Sequence, residues 1–534
     1  MNKILKKTLA LGLAACSVAS LVQAGDIVIE NKGEKGKYFA KKKYIPEPLP
    51  VYSEIKDKLP QPILADNKDY LDMYWFCWKI LYTRMKQPPK GSALVSNFLD
   101  EQFSPQIFQW DSLFMIMFAR YGHSVFPAIE TFDNFYARQH NSGYICRELR
   151  ESDGADLIYQ GRWNTINPPL FSWTEMASYR LSGDKKRLAL VLTALEKYAE
   201  WLEQPGTFKN ASGKNWEKHG RVAQNSVHKL YWNSPLGSGM DNTYIGKATM
   251  TVDMSSQMVV QYEALAEICE VLGKTEKAAL YRAKAKDIAD RINKYCWNEK
   301  EGFYYDVDDQ GNHVKIKSIR AFWTMLAGIP NKAQCDKLIA MHLRNPKEFW
   351  RKNVFPCLAA TEYGYETTGN YWNGGVWAPT NYAVIKGLER CGYEDFATEA
   401  TIKYLDSMSK VYRKDKTVYE NYAPDFDRRG SQSKGDFVGW TGCGPIALLI
   451  ENVLGFRTNG LKKELTWYVK RYDRHGIKNL QVGDASVDVV AGRRRKPRKL
   501  TFTAKASTPV TLIVKMDGKT KTFKLTEKAK RYKF

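Results

Sequence analysis

Between residues 66 and 454 apolar side chains recur every three to four positions in twelve separate stretches, and this periodicity constrains the fold more than any other feature. It predicts helices over 66–85, 110–122, 124–140, 170–182, 185–204, 249–273, 275–297, 316–328, 331–343, 373–391, 394–412 and 440–453. In 275–297 the stripe is Ala278, Leu280, Tyr281, Ala285, Ile288, Ala289 and Ile292. Gly183 and Gly273 follow their helices as C-terminal glycines do. Apolar stripes on that many helices are buried most simply by packing helix on helix. Short and long links alternate, and the long ones (86–109, 141–169, 205–248, 344–372 and 413–439) are rich in Trp, Tyr, Asn and Gly. Long irregular loops are usually functional, so these are expected to converge on one mouth. The expected architecture is mainly α, an (α/α)6 toroid or six-hairpin barrel. Beyond residue 460 the period changes to two, in Leu465–Val469, Ser486–Val490, Leu500–Thr503 and Val510–Val514, with a hairpin turn at Met516-Asp517-Gly518-Lys519. A small C-terminal antiparallel β module is expected to close the chain.

The division that follows is a signal segment at 1–24, an N-terminal extension at 25–65, the barrel at 66–457 and a basic β module at 458–534. Lys3, Lys6 and Lys7 precede the uncharged run Thr8–Val22, and Val22-Gln23-Ala24 offers small residues for cleavage. Leu13-Ala14-Ala15-Cys16 also fits the site at which bacterial lipoproteins are acylated, so a lipid-anchored form is the second reading. Both make the mature protein exported, periplasmic or at the cell surface. Of the nine cysteines eight lie beyond this segment, without a C-x-x-C, which speaks against structural zinc and leaves disulfide pairing open. The net charge is +23, and residues 493–534 hold fifteen Lys and Arg against Asp517 and Glu527. Such a tail is a solvated face or a contact for an anionic glycan or the cell envelope; nucleic acid is not expected.

The seven histidines form no H-E-x-x-H, and G-x-S-x-G, P-loop and dinucleotide-binding signatures are missing, so no metal or cofactor is implied. What remains is acids in aromatic, glycine-rich loops. Asp241 lies in Gly237-Ser238-Gly239-Met240-Asp241-Asn242, where small residues allow close approach to a ligand and a desolvated carboxyl suits general-acid work. An Asx turn is the structural alternative. Glu420 lies between tyrosines in Tyr419-Glu420-Asn421-Tyr422, whose hydroxyls are placed to hold a water beside it; a surface glutamate is the alternative. Trp110 and Asp111 open the second helix, and Tyr371-Trp372-Asn373-Gly374-Gly375-Val376-Trp377 puts two indoles around a Gly-Gly pair. Two facing carboxylates are the machinery of glycoside hydrolysis.

Taken together the motifs resemble one family. YWNGGVWAPTNY is similar to the YWRGPVW-x-x-x-NY segment of trehalases and of glycoside hydrolase family 63 with its mannosylglycerate-hydrolase-like relatives. SGMDN and YENY resemble the segments that carry the general acid and general base there. QWDSLF, Asn167-Pro168-Pro169 and Gly439-Trp440-Thr441-Gly442 resemble further landmarks in the same order. The resemblance implies an (α/α)6 barrel that hydrolyses α-glycosidic bonds with inversion, with Asp241 as acid and Glu420 as base. It puts Trp110, Asp111, Asn167, Trp372, Asn373, Trp377, Tyr419 and Trp440 among the contacts of an oligosaccharide or polysaccharide substrate. Asn373 and Gly375 depart from the Arg and Pro of the family segment, and Ser238 stands where many relatives carry Glu. The expected activity is that of an exo-acting α-glucosidase. The alternatives are a lyase or unsaturated-uronyl hydrolase, for which His140 beside Asn141 is the nameable histidine, and a non-catalytic glycan-binding protein.

Overall fold

The computed structural model describes residues 36–41, 43–101, 104–157, 166–203, 228–495 and 499–534; the expected signal segment, Cys16 and Lys496 lie outside the described residues. The helical expectation is met in twelve segments. They are α1 (Lys68–Tyr82), α2 (Gln109–Ala119), α3 (Thr131–Ala137), α4 (Phe171–Ser182), α5 (Lys185–Glu203), α6 (Val252–Val271), α7 (Thr275–Tyr295), α8 (Trp323–Ala327), α9 (Lys332–Lys337), α10 (Ala378–Arg390), α11 (Glu394–Asp415) and α12 (Gly444–Val453). The last is wound as a π-helix, and a π-helical turn, Leu338–Leu343, continues α9. Ahead of α3, α8 and α12, 3-10 turns at Ala128–Glu130, Ile319–Phe322 and Thr441–Cys443 take over residues that the periodicity predicts as helix.

Burial sorts the helices into two layers. Every residue of α2 is buried, as is most of α6 and α10, whereas α7 buries only Ala278, Tyr281, Ala285, Ile288 and Ile292. Leu280 is off that stripe and exposed, since two residues along a helix turn a side chain by about 200°. Helix α2 packs on α4, α4 on α6, α6 on α8 and α8 on α10, while α10 and α2 both meet the Thr441–Cys443 turn and α12. Outside these, α5 and α7 lie against α6, and α11 against α10 and α12.

The β region is richer than four strands. Its strands are β1 (Gln61–Leu64), β2 (Phe456–Asn459), β3 (Glu464–Tyr468), β4 (His475–Val482), β5 (Ala485–Ala491), β6 (Thr501–Ala506), β7 (Val510–Met516), β8 (Lys519–Leu525) and β9 (Lys530–Lys533). One sheet runs in the order β1-β4-β5-β6-β9, and the other in the order β2-β3-β7-β8. Trp467 and Phe523 of the second sheet meet Phe502 of the first edge-on at 5.4 and 5.3 Å, so the sheets face one another across an aromatic core. The expected hairpin is present at Asp517-Gly518, both at positive φ. Two expectations need correction. The module is not wholly antiparallel: β3 and β7 pair in parallel, Glu464 with Thr511 through Tyr468 with Lys515, because β4, β5 and β6 supply the crossover that parallel neighbours require. The first sheet also takes its edge strand β1 from the segment expected to be an extension, with Gln61 opposite Lys478.

Candidate active site

The predicted site residues lie at the N-terminal ends of the buried helices or on the loops that enter them. Trp110 and Asp111 are in the first turn of α2, Asn167 precedes α4, Asp241 precedes α6, Trp377 caps α10, and Glu420 and Trp440 precede the turn leading into α12. Two short ladders brace these loops: Gln106–Phe108 pairs with Glu148–Arg150, and Val376–Trp377 with Asn421–Tyr422. The second ladder joins the Trp377 and Glu420 motifs, which are well separated along the chain.

Glu420 is 2% exposed, and its carboxylate is held from two sides. The Tyr371 hydroxyl donates to Oε1 at 3.1 Å, and the Lys434 backbone N–H donates to Oε2 at 3.2 Å. Trp440 Nε1–H donates to the Glu420 carbonyl at 2.9 Å and fixes the backbone. Burial pushes the Glu420 carboxyl up to about 7, against the pull of those hydrogen bonds and with help from the charge of Asp241. The flanking tyrosines do other work than their place beside the acid predicts. Tyr419 donates to Asp415 at 3.2 Å, and the Tyr422 hydroxyl accepts the Tyr419 backbone N–H at 3.0 Å. Tyr371, 49 positions away, is the tyrosine on the Glu420 carboxylate.

Asp241 stands open at the loop surface while the walls around it desolvate its carboxyl, which raises it above the usual range against the charge of Arg147. Its loop is fixed at both ends. Arg147 donates to the Leu236 carbonyl at 3.2 Å and Asn167 Nδ2 to the Gly237 carbonyl at 3.1 Å. Beyond the acid, Asn242 Oδ1 accepts the Trp372 N–H at 2.8 Å, and Asn373 Nδ2 donates to the Asn242 carbonyl at 2.7 Å. Asn373 Oδ1 also accepts the Tyr244 N–H at 3.1 Å. Both ends of the Asn373 amide are therefore engaged in joining the Asp241 loop to the Trp372 loop, and Asn167 likewise positions a loop.

Asp111 is buried, and burial followed by the charges of Asp241 and Glu420 drives its carboxyl well above the ordinary value. Asp111, Tyr371, Asp241 and Glu420 thus lie within electrostatic reach of one another. Trp372 and Trp377 are stacked at 3.7 Å and fully buried, with Trp440 edge-on to Trp372 at 6.3 Å. Trp110 is also buried, and its ring backs directly onto Gly239. Trp372, Trp377 and Trp440 form one buried aromatic cluster beside Glu420. Sequence reasoning missed Tyr371, Asn242 and Arg147 as site residues; Tyr371 and Asn242 sit inside motifs it quoted, but nothing local shows where their polar atoms point. His140 is buried and paired with Asp156 at 2.7 Å, which engages the histidine named for a lyase. Among the described residues no group of three or more His, Cys, Asp or Glu has the arrangement of a metal site.

Gly239 gives a direct test of this geometry. It has φ +77°, and a Cβ there would lie 2.5 Å from Trp110 Cδ2. Gly239→Ala is expected to displace Asp241, and under the acid role proposed for Asp241 below it should lower kcat/KM by roughly 10²-fold, the scale set by small misplacements of catalytic groups. Gly273 has φ +74° with open space around it, so Gly273→Ala is the control for backbone strain alone. Equal activity in the two variants would show that the Gly239–Trp110 approach does not hold the acid.

At the opposite ends of the same helices lies a cavity of about 550 Å³, bounded by Arg120, Tyr382, Lys386 and Glu451. Burial alone would raise the Glu451 carboxyl, but Lys386, Arg120 and Arg457 bring it down to about 2. Its ion pairs with Arg120 and Lys386, at 2.7 and 2.5 Å, tie the turn that ends α2, α10 and α12 together, a structural role.

The helical scaffold brings two buried carboxyls, Asp111 and Glu420, within electrostatic reach of the exposed Asp241 beside a cluster of indoles, an arrangement suited to glycoside hydrolysis. The model of the mannosylglycerate hydrolase MGH1-like glycoside hydrolase domain matches residues 104–441, and the chain belongs to that family. It is 26% identical over 448 residues to an uncharacterized protein of Borreliella burgdorferi, covering 80% of this chain and 89% of the relative. It is 23% identical over 427 residues to a periplasmic trehalase of Salmonella agona, covering 68% and 70%. Among solved structures it is similar to a GH63 mannosylglycerate hydrolase from Thermus thermophilus in complex with glucose, with TM-score 0.52, 15% identity and coverage of 70% and 98%. An α-L-rhamnosidase from Dictyoglumus thermophilum aligns with TM-score 0.59, 10% identity and coverage of 89% and 50%. These two likenesses concern the fold.

Proposed function

We propose that this glycoside hydrolase is an inverting, exo-acting α-glucosidase, with Asp241 as general acid and Glu420 as general base. The reading rests chiefly on Glu420: a buried carboxylate, oriented by Tyr371 and the Lys434 N–H, within electrostatic reach of a second carboxyl on a separately anchored loop. The ring of α2, α4, α6, α8, α10 and α12 packing one on the next is read as the inner layer of an (α/α)6 toroid, whose mouth holds the substrate. Asp241 would give its proton to the glycosidic oxygen as the C1–O bond breaks. Glu420 would take a proton from the water that attacks C1 on the opposite face. Inversion calls for carboxyls roughly 6.5–9.5 Å apart, with room for that water. Asp111, Trp110, Trp372, Trp377, Tyr419 and Trp440 form or support the subsite for the cleaved sugar, and the glucose held by the Thermus enzyme favours a glucoside.

A proton NMR time course on α-linked glucose, mannose and galactose oligosaccharides tests this. The β-anomer is expected first, from the α-glucosides. An α-anomer appearing first would remove the inverting mechanism, and an unsaturated product would remove hydrolysis itself.

Export is part of the proposal, supported by the charged and apolar pattern of residues 1–24 and by the periplasmic trehalase among the relatives. Among the described residues no helix is long and apolar enough to cross a membrane. In the tail, Lys519, Lys521, Lys528, Lys530, Arg531 and Lys533 are exposed on β8, β9 and the link between them. We read this face as the contact for an anionic glycan or envelope polymer. Retention of the full chain on an immobilised anionic polysaccharide should weaken as added salt shortens the screening length below about 8 Å. Replacing Lys519, Lys521 and Lys530 by Gln should lower the eluting salt concentration without altering hydrolysis of a small glucoside. An unchanged elution profile would exclude the tail as the contact.

A further inference from the structure

We propose that Cys335 and Cys391 form an intrachain disulfide when the exported chain meets a disulfide donor. The two belong to different elements: Cys335 is in α9, and Cys391 ends α10. Their sulfurs are 2.9 Å apart, inside van der Waals contact, although 56 positions separate them. Cys335 is buried and Cys391 half-buried, so one sulfur of the pair is reachable from outside. The contact itself acts most strongly on both thiols, lowering Cys335 and raising Cys391, so Cys335 ionises first and Cys391 keeps its proton against it. Lys332 and Arg390 lie beside the pair, and their positive charges favour that thiolate, which exchange requires. Cys77, Cys296, Cys357 and Cys443 contrast with this pair: burial holds each of those thiols well above its ordinary range, which makes them inert.

The exchange balances with one external disulfide, R–S–S–R. The Cys391 proton passes across the contact to the Cys335 thiolate, the reachable Cys391 sulfur attacks the donor, an R–S⁻ leaves and takes up the proton that Cys335 first released, and a mixed disulfide remains on Cys391. The Cys335 thiolate then attacks the Cys391 sulfur and expels the second R–S⁻, which takes the Cys335 proton. Two thiols are oxidised to one bridge and the donor is reduced to two R–S–H. The segment closed by the bridge carries Tyr371, Trp372 and Asn373, so oxidation would restrain the unfolded span of the stretch that orients the base and joins the acid loop.

The test uses the full chain and oxidised glutathione as donor. Intact mass should fall by two hydrogens, a non-reduced digest should yield the peptides of Cys335 and Cys391 linked, and the thermal midpoint should rise by about 4 °C. Cys391→Ser should abolish the linked peptide and the rise, and Cys335→Ala should trap a glutathione adduct on Cys391. The proposal is overturned if wild-type Cys335 and Cys391 both remain open to iodoacetamide after the treatment, if oxidation stops at the adduct, or if the bridge joins other cysteines. None of these readings depends on the glycosidase assignment.

Discussion

Asp241→Asn is expected to lower hydrolysis of an unactivated α-glucoside by roughly 10²–10⁴-fold, the usual worth of a positioned proton donor. Asparagine keeps the size of the side chain and leaves the hydrogen bonds of Asn242, Asn373 and Asn167 around the loop intact. KM should therefore change much less than kcat. The discriminating substrate is an α-glucosyl fluoride, whose leaving group departs without a proton: the variant should retain most of its activity there. Equal losses on fluoride and glucoside would show that Asp241 acts by some route other than proton donation.

Glu420→Gln should abolish turnover of both substrates, because water must be activated whichever group leaves, and should at the same time stabilise the fold at neutral to alkaline pH. The Glu420 carboxyl is raised from 4.5 to about 7 in the native state. Between those values the native chain binds more protons than the unfolded one, so stability falls as pH rises. Well below that window the carboxyl is protonated in both states and this difference vanishes. Above it the buried charge costs the wild type about 3 kcal/mol, which glutamine escapes. Denaturant midpoints measured from below the window to above it should separate the two proteins as pH rises; parallel curves would mean that Glu420 titrates as an ordinary surface acid. The same carboxyl must be ionised to act as a base, so wild-type kcat/KM should decline below about pH 7. The proposed base is thus held in place at a cost in stability, as active-site groups often are.

The helices were legible because amphipathic periodicity is a local property: a stripe such as Ala278, Tyr281, Ala285, Ile288 and Ile292 is written within one segment. The Asp-Gly hairpin at 517–518 was legible for the same reason, since its positive φ values are set by two adjacent residues. Asp241 and Glu420 could be nominated from their loops and from family resemblance. Their surroundings could not. The hydroxyl on Glu420 comes from Tyr371 rather than from Tyr419 or Tyr422, and the 376–377 and 421–422 strands pair the two motifs although they are far apart in sequence. Asn373, which reads in sequence as a lost arginine contact, is an anchor between loops, reaching Tyr244 across 129 positions of chain. In the β region the parallel pairing of β3 with β7 and the recruitment of β1 depend on which sheet edges meet after collapse. Local pattern is enough to say which segments are helices, where the loops fall and which acids stand in them. The side chains that face those acids were settled by the folded packing, because hydrogen bonds spanning a hundred residues answer to no pattern inside the segments that make them.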